Sequence, residues 1–296
     1  MSIVYKFPFE DMVECTMMQR PSSKNKSPYV ADVQLENEQR VAIAHVPSLH
    51  LGNKCVPGSQ CLMKFARKNN KARDRVGKDE ISSKYGTPKC ELHSCLVRHN
   101  GVWIGAHPKI GEDIAGELLK RETIYQPIHS SKIVDVKREV SKVAKTDMRS
   151  DYLLTHEDGT YSLVEVKSVV DSDSDDNPDF EGPITGVFPW GKRNQKHNNE
   201  KVVSARAIKH VSEMTEISKG NKKDDRYDIL RTCVLFVVVR GDCDYFRPRD
   251  ETCPVFARVL KEAKEHGVKI MAHRIKWEVK DHEIVGKDDG NIDILL

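Results

Sequence analysis

The sequence from Arg149 to Val169, RSDYLLTHEDGTYSLVEVKSV, decides the fold prediction because it has the pattern of a β-hairpin. Both halves are rich in residues typical of strands, and Glu157-Asp158-Gly159 between them suits a three-residue turn with a left-handed glycine. With that turn, Asp151 lies directly opposite Glu165 on one face of the hairpin. A two-residue turn at Asp158-Gly159 would slip the register by one residue and turn Asp151 to the other face.

The same hairpin carries a candidate catalytic site. Glu165 and Lys167 are two residues apart on one strand, so their side chains share the face on which Asp151 lies. Two carboxylates beside a lysine can hold Mg²⁺ or Mn²⁺ and place a positive charge near a water that attacks a phosphodiester. The Glu-x-Lys pattern is weak by itself, because it recurs at 262–264 and 278–280. The alternative is an amphipathic hairpin with exposed carboxylates that Lys167 neutralises.

The residues before this hairpin predict a small barrel. Short strand-like segments separated by turn residues occupy residues 29–65 and 90–106, a pattern typical of a small β-barrel. From residue 109 to 121 the apolar residues follow a helical period. We therefore predict a small β-barrel domain over residues 1–105, with a basic insert at 66–89.

The remainder predicts an α/β domain over residues 106–280 with a mixed central sheet. The segment 231–240 is so uniformly apolar that both of its faces must be covered, as in a central strand. Helical patterns lie on either side of this segment, at 201–217 and 254–266. Residues 281–296 are predicted to be a C-terminal tail. The fold class is thus α+β or α/β.

Charge is distributed unevenly, although the net charge is only +3. Residues 64–89 carry nine basic side chains against three acidic ones, and residues 192–209 carry six against one. Both segments are candidates for binding phosphate backbones, and the alternative is that they are solvated loops. Residues 171–181 contain six acidic side chains in eleven and are predicted to be unstructured, either simply solvated or covering a basic cleft.

The remaining composition excludes several classes of protein. The eight cysteines form no Cys-x-x-Cys pair, which argues against a disulfide framework. No apolar stretch approaches the roughly 20 residues that a bilayer crossing requires, and the N-terminus lacks the layout of a secretory signal. We expect an intracellular protein, cytoplasmic or nuclear, with no membrane contact.

Together these segments resemble the sugar fermentation stimulation protein A (SfsA) family. The resemblance implies an oligonucleotide-binding (OB)-like barrel followed by a restriction-endonuclease-like domain of the PD-(D/E)xK type, and it implies DNA binding more firmly than cleavage. The matching segments, in chain order, are Arg138–Val140, Arg149–Leu154, Val164–Val169, Leu235–Asp242, Phe246–Pro248, Pro254–Ala257 and Gly267–Val268.

The resemblance also implies roles for individual residues. Asp151 and Glu165 would be the metal ligands, and Lys167 and Glu117, the latter from a preceding helix, would complete the catalytic set. The family's basic helix matches Val203–His210. The residues expected to contact nucleic acid are Arg206, Lys209 and His210, with Lys64, Arg67 and Lys68 from the basic insert.

The sequence differs from the family pattern at one position of this basic helix. Ile208 stands where the family has a glutamine that could orient a water or contact the phosphate, and isoleucine can do neither. Upstream, the residues Gln195-Lys196-His197 have the family's Gln-Lys-His order, so Gln195 is a candidate substitute for the missing glutamine.

Three functions therefore follow from the sequence. The first is a Mg²⁺- or Mn²⁺-dependent nuclease, the second is a noncatalytic DNA-binding regulator with the nuclease fold, and the third is a protein-interaction scaffold. DNA is the expected partner, with low sequence specificity, because no recognition helix or zinc finger is evident. The sequence leaves open whether the chain is a monomer or a homodimer.

Overall fold

The computed structural model describes residues 1–47, 54–68, 74–121, 131–175, 177, 179–227, 230–280 and 282–296. Their contacts divide the chain into two compact units. The first unit comprises residues 1–110, 240–242 and 276–287, and the second comprises residues 111–239, 243–275 and 288–296. The first unit thus extends five residues beyond the predicted boundary at 105 and includes two segments from late in the chain.

The elements of the first half are β1 (Ile3–Phe7), β2 (Met12–Gln19), β3 (Val30–Leu35), β4 (Arg40–His45), β5 (Gln60–Phe65), β6 (Leu92–His99), β7 (Val102–Gly105) and α1 (Pro108–Leu119). Next come β8 (Ile133–Ser141), β9 (Arg149–His156), β10 (Tyr161–Val169), β11 (Asp171–Ser172), β12 (Thr185–Phe188), β13 (Gln195–His197) and β14 (Glu200–Val202). The chain continues with α2 (Ala205–Ser218), β15 (Leu230–Val238), β16 (Tyr245–Pro248), α3 (Pro254–Glu265), β17 (Lys269–Lys280), β18 (Glu283–Asn291) and β19 (Asp293–Ile294).

In the first unit, β2 to β6 form a closed barrel. Their order is β4-β3-β2-β5-β6, and a parallel pairing of β4 with β6 closes the sheet on itself. This is the arrangement of an OB fold, as predicted. The sequence prediction began at residue 29 and so omitted β2, although Val13, Cys15 and Met17 alternate in the manner of a half-buried strand and are all buried.

In the second unit, the central sheet is mixed, as predicted. Its order is β17-β15-β10-β9-β8, with β15 parallel to both neighbours and the three strands β8, β9 and β10 antiparallel. The side chains of β15 from Thr232 onward are buried, which explains the uniformly apolar sequence. The core formed with this sheet includes residues of α2 and α3, among them Ile208, Val211 and Phe256.

Helix α1 lies close to the hairpin strands because two of its residues are glycines. A Cβ atom added at Gly111 would lie 2.1 Å from Ser168 Oγ, and one added at Gly116 would lie 2.5 Å from the Tyr152 hydroxyl. That hydroxyl donates a hydrogen bond of 2.6 Å to the carbonyl oxygen of Glu112. The glycines therefore set how near α1 approaches β9 and β10.

Residues 171–175 of the acidic segment form a short strand and a turn, which corrects the prediction for them, whereas residues 177 and 179–181 lie in no helix or strand. Asp171 belongs to β11, is buried, and accepts a hydrogen bond of 2.6 Å from Arg249. The carboxylate of Asp173 accepts the backbone N–H of Thr185 at 3.0 Å. The Asp173 contact ties this segment to β12, and the Asp171 contact ties β11 to the residue that follows β16, which composition alone does not reveal.

The predicted C-terminal tail also differs in the structure, because it forms strands. β18 pairs antiparallel with β1, and Ile284 and Val285 of β18 are buried. β19 pairs in parallel with β16. The N-terminal strand and β18 pair across almost the whole length of the chain, so local sequence pattern gave little warning of this strand. None of the described helices has the length and apolar character needed to cross a bilayer.

We predict that Gly116→Ala destabilises the protein, because the added methyl group would collide with the Tyr152 hydroxyl. Overpacking of this kind costs about 1–3 kcal/mol, against about 1 kcal/mol gained from the helix propensity of alanine. Urea unfolding of the single variant and of Gly116→Ala combined with Tyr152→Phe measures the effect. The double variant should recover part of the loss, and a single variant as stable as wild type would contradict the close approach.

Candidate functional site

The register of the β9–β10 hairpin places the candidate residues together. Leu153 pairs with Leu163 and Tyr152 with Val164, so the next opposing pair is Asp151 and Glu165. Gly159 has a φ of +81°, and its N–H donates to the carbonyl oxygen of His156 at 3.0 Å. The predicted three-residue turn and its register are confirmed.

The main-chain pairing of the two strands ends just before the site. Beyond the pair Tyr152 and Val164, the N–H of Val166 donates to Oδ2 of the Asp151 side chain at 2.6 Å. A side-chain acceptor thus replaces a main-chain carbonyl in the ladder. This holds the Asp151 carboxylate between the strands.

Glu165 is the most buried acid of the site, with 2% of its surface exposed. Its Oε1 accepts hydrogen bonds from Lys167 Nζ and from His210 Nδ1, the latter at 2.5 Å. Burial favours the neutral acid, but the charge of Lys167 and the hydrogen bonds from His210 and Lys167 outweigh it and hold the Glu165 pKa below its usual value. Glu165 is therefore a carboxylate at neutral pH.

The second oxygen of Glu165, Oε2, is buried and has no hydrogen-bond partner within the described part of the chain. A buried carboxylate oxygen that lacks a partner is costly, and such an atom in a native structure calls for a ligand or a functional role. A cation would satisfy it. This atom is the strongest local sign that the site accepts a positively charged group.

Asp151 behaves differently from Glu165. Burial and the neighbouring Glu165 charge raise the Asp151 pKa to about 6, although Lys167 and the Val166 N–H oppose the shift. The charge of Glu112 on α1 contributes in the same upward direction. The site thus concentrates negative charge that a bound cation would relieve.

Glu117, the predicted helix carboxylate, is not brought to this cluster. Its side chain is exposed and accepts a hydrogen bond of 2.8 Å from Lys120. Glu112 and Glu117 are five residues apart, roughly 140° around the helix, and they flank the apolar stripe on opposite sides. The sequence pattern could not choose between them; the packing of α1 against Tyr152 places Glu112 on the hairpin side.

His210 has a different environment from the one predicted. It lies on α2, it is buried, and it donates to Glu165, so it is a partner of the carboxylate site as well as a wall of the adjoining pocket. Ile208 is fully buried in the core. Because position 208 points away from the pocket, the replacement of glutamine by isoleucine does not remove a pocket residue here.

A pocket of about 450 Å³ adjoins His210, and most of its polar lining is basic. Its lining residues are Asp147, Arg149, Lys196, His197, Ala205, Arg206, Lys209 and His210. Lys209 is paired with Asp147 at 2.6 Å, and Arg149 is paired with Glu139. The predicted residues Arg206 and Lys209 are therefore together, and the β13–β14 hairpin adds Lys196 and His197.

Gln195, the proposed substitute for the missing glutamine, has a structural role. Its Oε1 accepts the N–H of Ala205 at 2.9 Å, which satisfies one of the free N–H groups at the start of α2. It is absent from the pocket lining. Gln195 instead fastens the β13–β14 hairpin to the helix and so fixes where Lys196 and His197 stand.

Lys64, Arg67 and Lys68 lie in the first unit. Arg67 is bonded to Asp11, and hydrogen bonding to Arg67 lowers the Asp11 pKa. Lys68 lies 3.8 Å from Glu80, whereas Lys64 is on β5 opposite Met12 and His93. Part of the positive charge predicted to contact nucleic acid is therefore neutralised by acidic neighbours.

The donor set fits a hard cation better than a zinc ion. Among the residues placed by the structure, no group of three or more His, Cys, Asp and Glu side chains is close enough to hold a metal by itself. Mg²⁺ commonly binds through one or two carboxylates together with water and substrate phosphates, whereas structural zinc needs four protein ligands. Asp151 and Glu165 fit the first pattern.

Comparison with known proteins gives a consistent picture. A family model described as the sugar fermentation stimulation protein RE domain matches residues 201–281. A sugar fermentation stimulation protein homolog of Thermosynechococcus vestitus is 30% identical over 214 residues, which are 72% of this chain and 77% of that protein. A homolog from a Synechococcus species is 24% identical over 250 residues, covering 84% and 82% of the two chains.

The fold itself matches a solved structure. The structure of Pyrococcus furiosus SfsA in complex with Ca²⁺ aligns with a TM-score of 0.69 and covers 100% of both chains. The two sequences are 18% identical, so this likeness concerns the fold alone.

We predict that Asp151→Asn stabilises the cation-free protein above pH 6. Because the folded-state pKa of Asp151 is about 6 against an ordinary value of 3.8, folding favours its protonated form, and stability is lost as pH rises through this interval. Asparagine can still accept the Val166 N–H but carries no charge. We expect a gain on the order of 1–3 kcal/mol at pH 8 that shrinks toward zero near pH 4.

Thermal unfolding in EDTA at a series of pH values measures this difference. Asp147→Asn is the matched control, because that carboxylate is exposed and its hydrogen bond with Lys209 lowers its pKa. The control should be slightly less stable than wild type at pH 8. A loss of stability in Asp151→Asn at pH 8 would show that the ionised carboxylate is favourable in the folded state.

Proposed function

The chain belongs to the sugar fermentation stimulation protein family, and from this membership and the hairpin geometry we propose that it binds DNA and hydrolyses phosphodiester bonds with a divalent cation. The observation that carries the proposal is the buried Oε2 of Glu165, which has no hydrogen-bond partner among the described residues and lies beside Asp151. Two acidic groups share one face of a hairpin, and a basic pocket adjoins them through His210. This combination suits an anionic substrate and a cation together.

Asp151 and Glu165 are the residues that would hold Mg²⁺ or Mn²⁺. A bound cation would supply polarisation of the phosphoryl oxygen and acidification of a water molecule at neutral pH. The Pyrococcus furiosus protein of the same fold was solved in complex with Ca²⁺, another hard cation that takes oxygen ligands, which supports a divalent cation as the ligand.

Lys167 contributes positive charge at the mouth of the site. Its side chain is 15% exposed, and its ammonium group contacts Glu165 Oε1 and the carbonyl oxygen of Val166 at 3.1 Å. The ammonium group of Lys167, held in this way, would stabilise the negative charge that develops on the phosphoryl oxygens during attack by water. His210 orients the Glu165 carboxylate through a hydrogen bond and is a positioning residue.

The basic pocket would hold the substrate by its phosphates. Arg206 and Lys196 offer charge and His197 offers a hydrogen-bonding group, and such contacts to phosphates carry little sequence information. Low sequence specificity follows from this geometry.

A second candidate function is a noncatalytic DNA-binding regulator. The observation that favours it is the double hydrogen bond at Glu165 Oε1, which already satisfies half of the carboxylate with Lys167 and His210. A site of this kind can persist without a cation. The nuclease proposal is preferred because Oε2 and the raised pKa of Asp151 remain unexplained in the regulator.

We predict cleavage of DNA by the wild-type protein in Mg²⁺ or Mn²⁺ and its loss in EDTA. Glu165→Gln removes the ligand charge and should reduce the rate on the order of 100-fold or more. Plasmid DNA and end-labelled linear single- and double-stranded DNA are suitable substrates, with products resolved on gels. Glu278→Gln is the control, since Glu278 belongs to another Glu-x-Lys pattern and is paired with Lys287 at 2.7 Å.

The outcomes separate the candidates. Equal cleavage by wild type and Glu165→Gln would reject this site as the catalytic centre. Binding without cleavage in all variants and both metals would leave the regulator. A protein that neither binds nor cleaves nucleic acid at low ionic strength would favour the scaffold.

We also predict that DNA affinity falls steeply between about 50 and 200 mM salt, because phosphate contacts release counterions. Arg206→Gln should weaken binding to all sequences alike and reduce the slope of log affinity against log salt by about 1. Fluorescence anisotropy on two unrelated sequences provides the measurement. An unchanged slope in the variant would exclude Arg206 from the phosphate contacts.

A further inference from the structure

The basic pocket contains three cationic or titratable side chains that lack a protein partner. Lys196 and His197 reach it from β13, and Arg206 reaches it from the first turn of α2. Over the ranges that the structure describes, the side chains of these three residues take part in no hydrogen bond or ion pair. The pocket therefore presents charge that is not used to hold the fold.

The other charged groups of the lining are already compensated. Lys209 is paired with Asp147, and Arg149 is paired with Glu139 outside the lining. The uncompensated charge is thus that of Lys196 and Arg206, with His197 as a further hydrogen-bonding group. The occupant that best matches this set carries close to two negative charges and several acceptor oxygens.

The type of phosphate follows from that charge. A phosphodiester within a strand carries a single negative charge, and its two ester oxygens continue into the chain on both sides. A terminal phosphomonoester carries about −1.5 to −2 charges at neutral pH and has three strong acceptor oxygens. A pocket with two uncompensated cations is better matched to the terminal group than to the internal one.

The pocket lies next to the carboxylate site and at the start of α2. His210 both lines the pocket and donates to Glu165, so the pocket directly adjoins the carboxylate site. The first turn of α2 lies in the lining at Ala205 and Arg206, and the positive end of the helix dipole favours an anion there. The hydrogen bond from the Ala205 N–H to Gln195 joins the β13–β14 hairpin to the start of α2, so the segments that carry Lys196 and Arg206 are held next to each other.

We propose that this pocket binds the terminal phosphate of a nucleic acid strand. The proposal rests on the proposed function and adds to it a preference for strands with a phosphorylated end. The recognised group is the phosphomonoester itself, whether it stands at the 5′ or at the 3′ end.

The test is binding of short labelled DNA strands to the full-length protein in EDTA, so that no cleavage intervenes. Strands of one sequence carry a 5′-phosphate, a 3′-phosphate or hydroxyl groups at both ends. We expect one phosphorylated strand to bind about 10-fold more tightly than the hydroxyl strand, a difference of about 1.4 kcal/mol. The arm that shows the preference identifies the end.

The preference should depend on the pocket cations. The double variant Lys196→Gln with Arg206→Gln should bind phosphorylated and hydroxyl strands equally. Lys192→Gln is the matched control, because it removes a charge from the same basic segment outside the pocket lining and should keep the preference. Lys196 and Arg206 are both exposed, and an unchanged thermal unfolding midpoint of the double variant establishes that its fold is intact.

Equal affinity of wild type for all three strands would overturn the inference, as would a preference that survives in the double variant. The result is separable from the nuclease proposal. Cleavage without an end preference would defeat the terminal-phosphate pocket alone. An end preference without cleavage in Mg²⁺ or Mn²⁺ would defeat the nuclease proposal alone.

Discussion

The site depends on the register of one hairpin. A turn of three residues ending in left-handed Gly159 brings Asp151 opposite Glu165, and a turn one residue shorter would have sent Asp151 to the other face. The ladder then stops, and the Asp151 carboxylate takes the Val166 N–H in place of a main-chain oxygen. Local turn chemistry thus controls the separation of two acids, and everything proposed for a cation follows from it.

The two acidic side chains of this hairpin lie in an electrostatically unfavourable environment. Glu165 is almost entirely buried, one of its oxygens has no partner within the described residues, and Asp151 is held with a raised pKa beside it. Sites that break the rules of polar satisfaction in this way are commonly functional, because selection for stability alone would remove them. Lys167 and His210 reduce the cost at Oε1 without eliminating it.

Prediction from the sequence succeeded where the signal is local. The turn at 157–159, the apolar strand 231–240 and the helix that begins at Pro254 follow from residues that are near one another in the chain. It failed where long-range packing decides, as for β18, whose partner β1 is at the opposite end of the sequence. The choice of Glu112 over Glu117 likewise depends on how α1 packs against Tyr152, which no periodicity encodes.

Basic residues in a sequence are not the same as charge available to a ligand. In the first unit, Arg67 is bonded to Asp11 and Lys68 lies near Glu80, so much of the charge counted there stabilises the fold. In the second unit, Lys196 and Arg206 have no partner within the described chain and converge on one pocket. The formation of ion pairs does not change the net charge of a segment. Only the structure therefore distinguishes the paired cations from those that a ligand could contact. We therefore propose that an anion contacts Lys196 and Arg206 rather than Arg67 and Lys68.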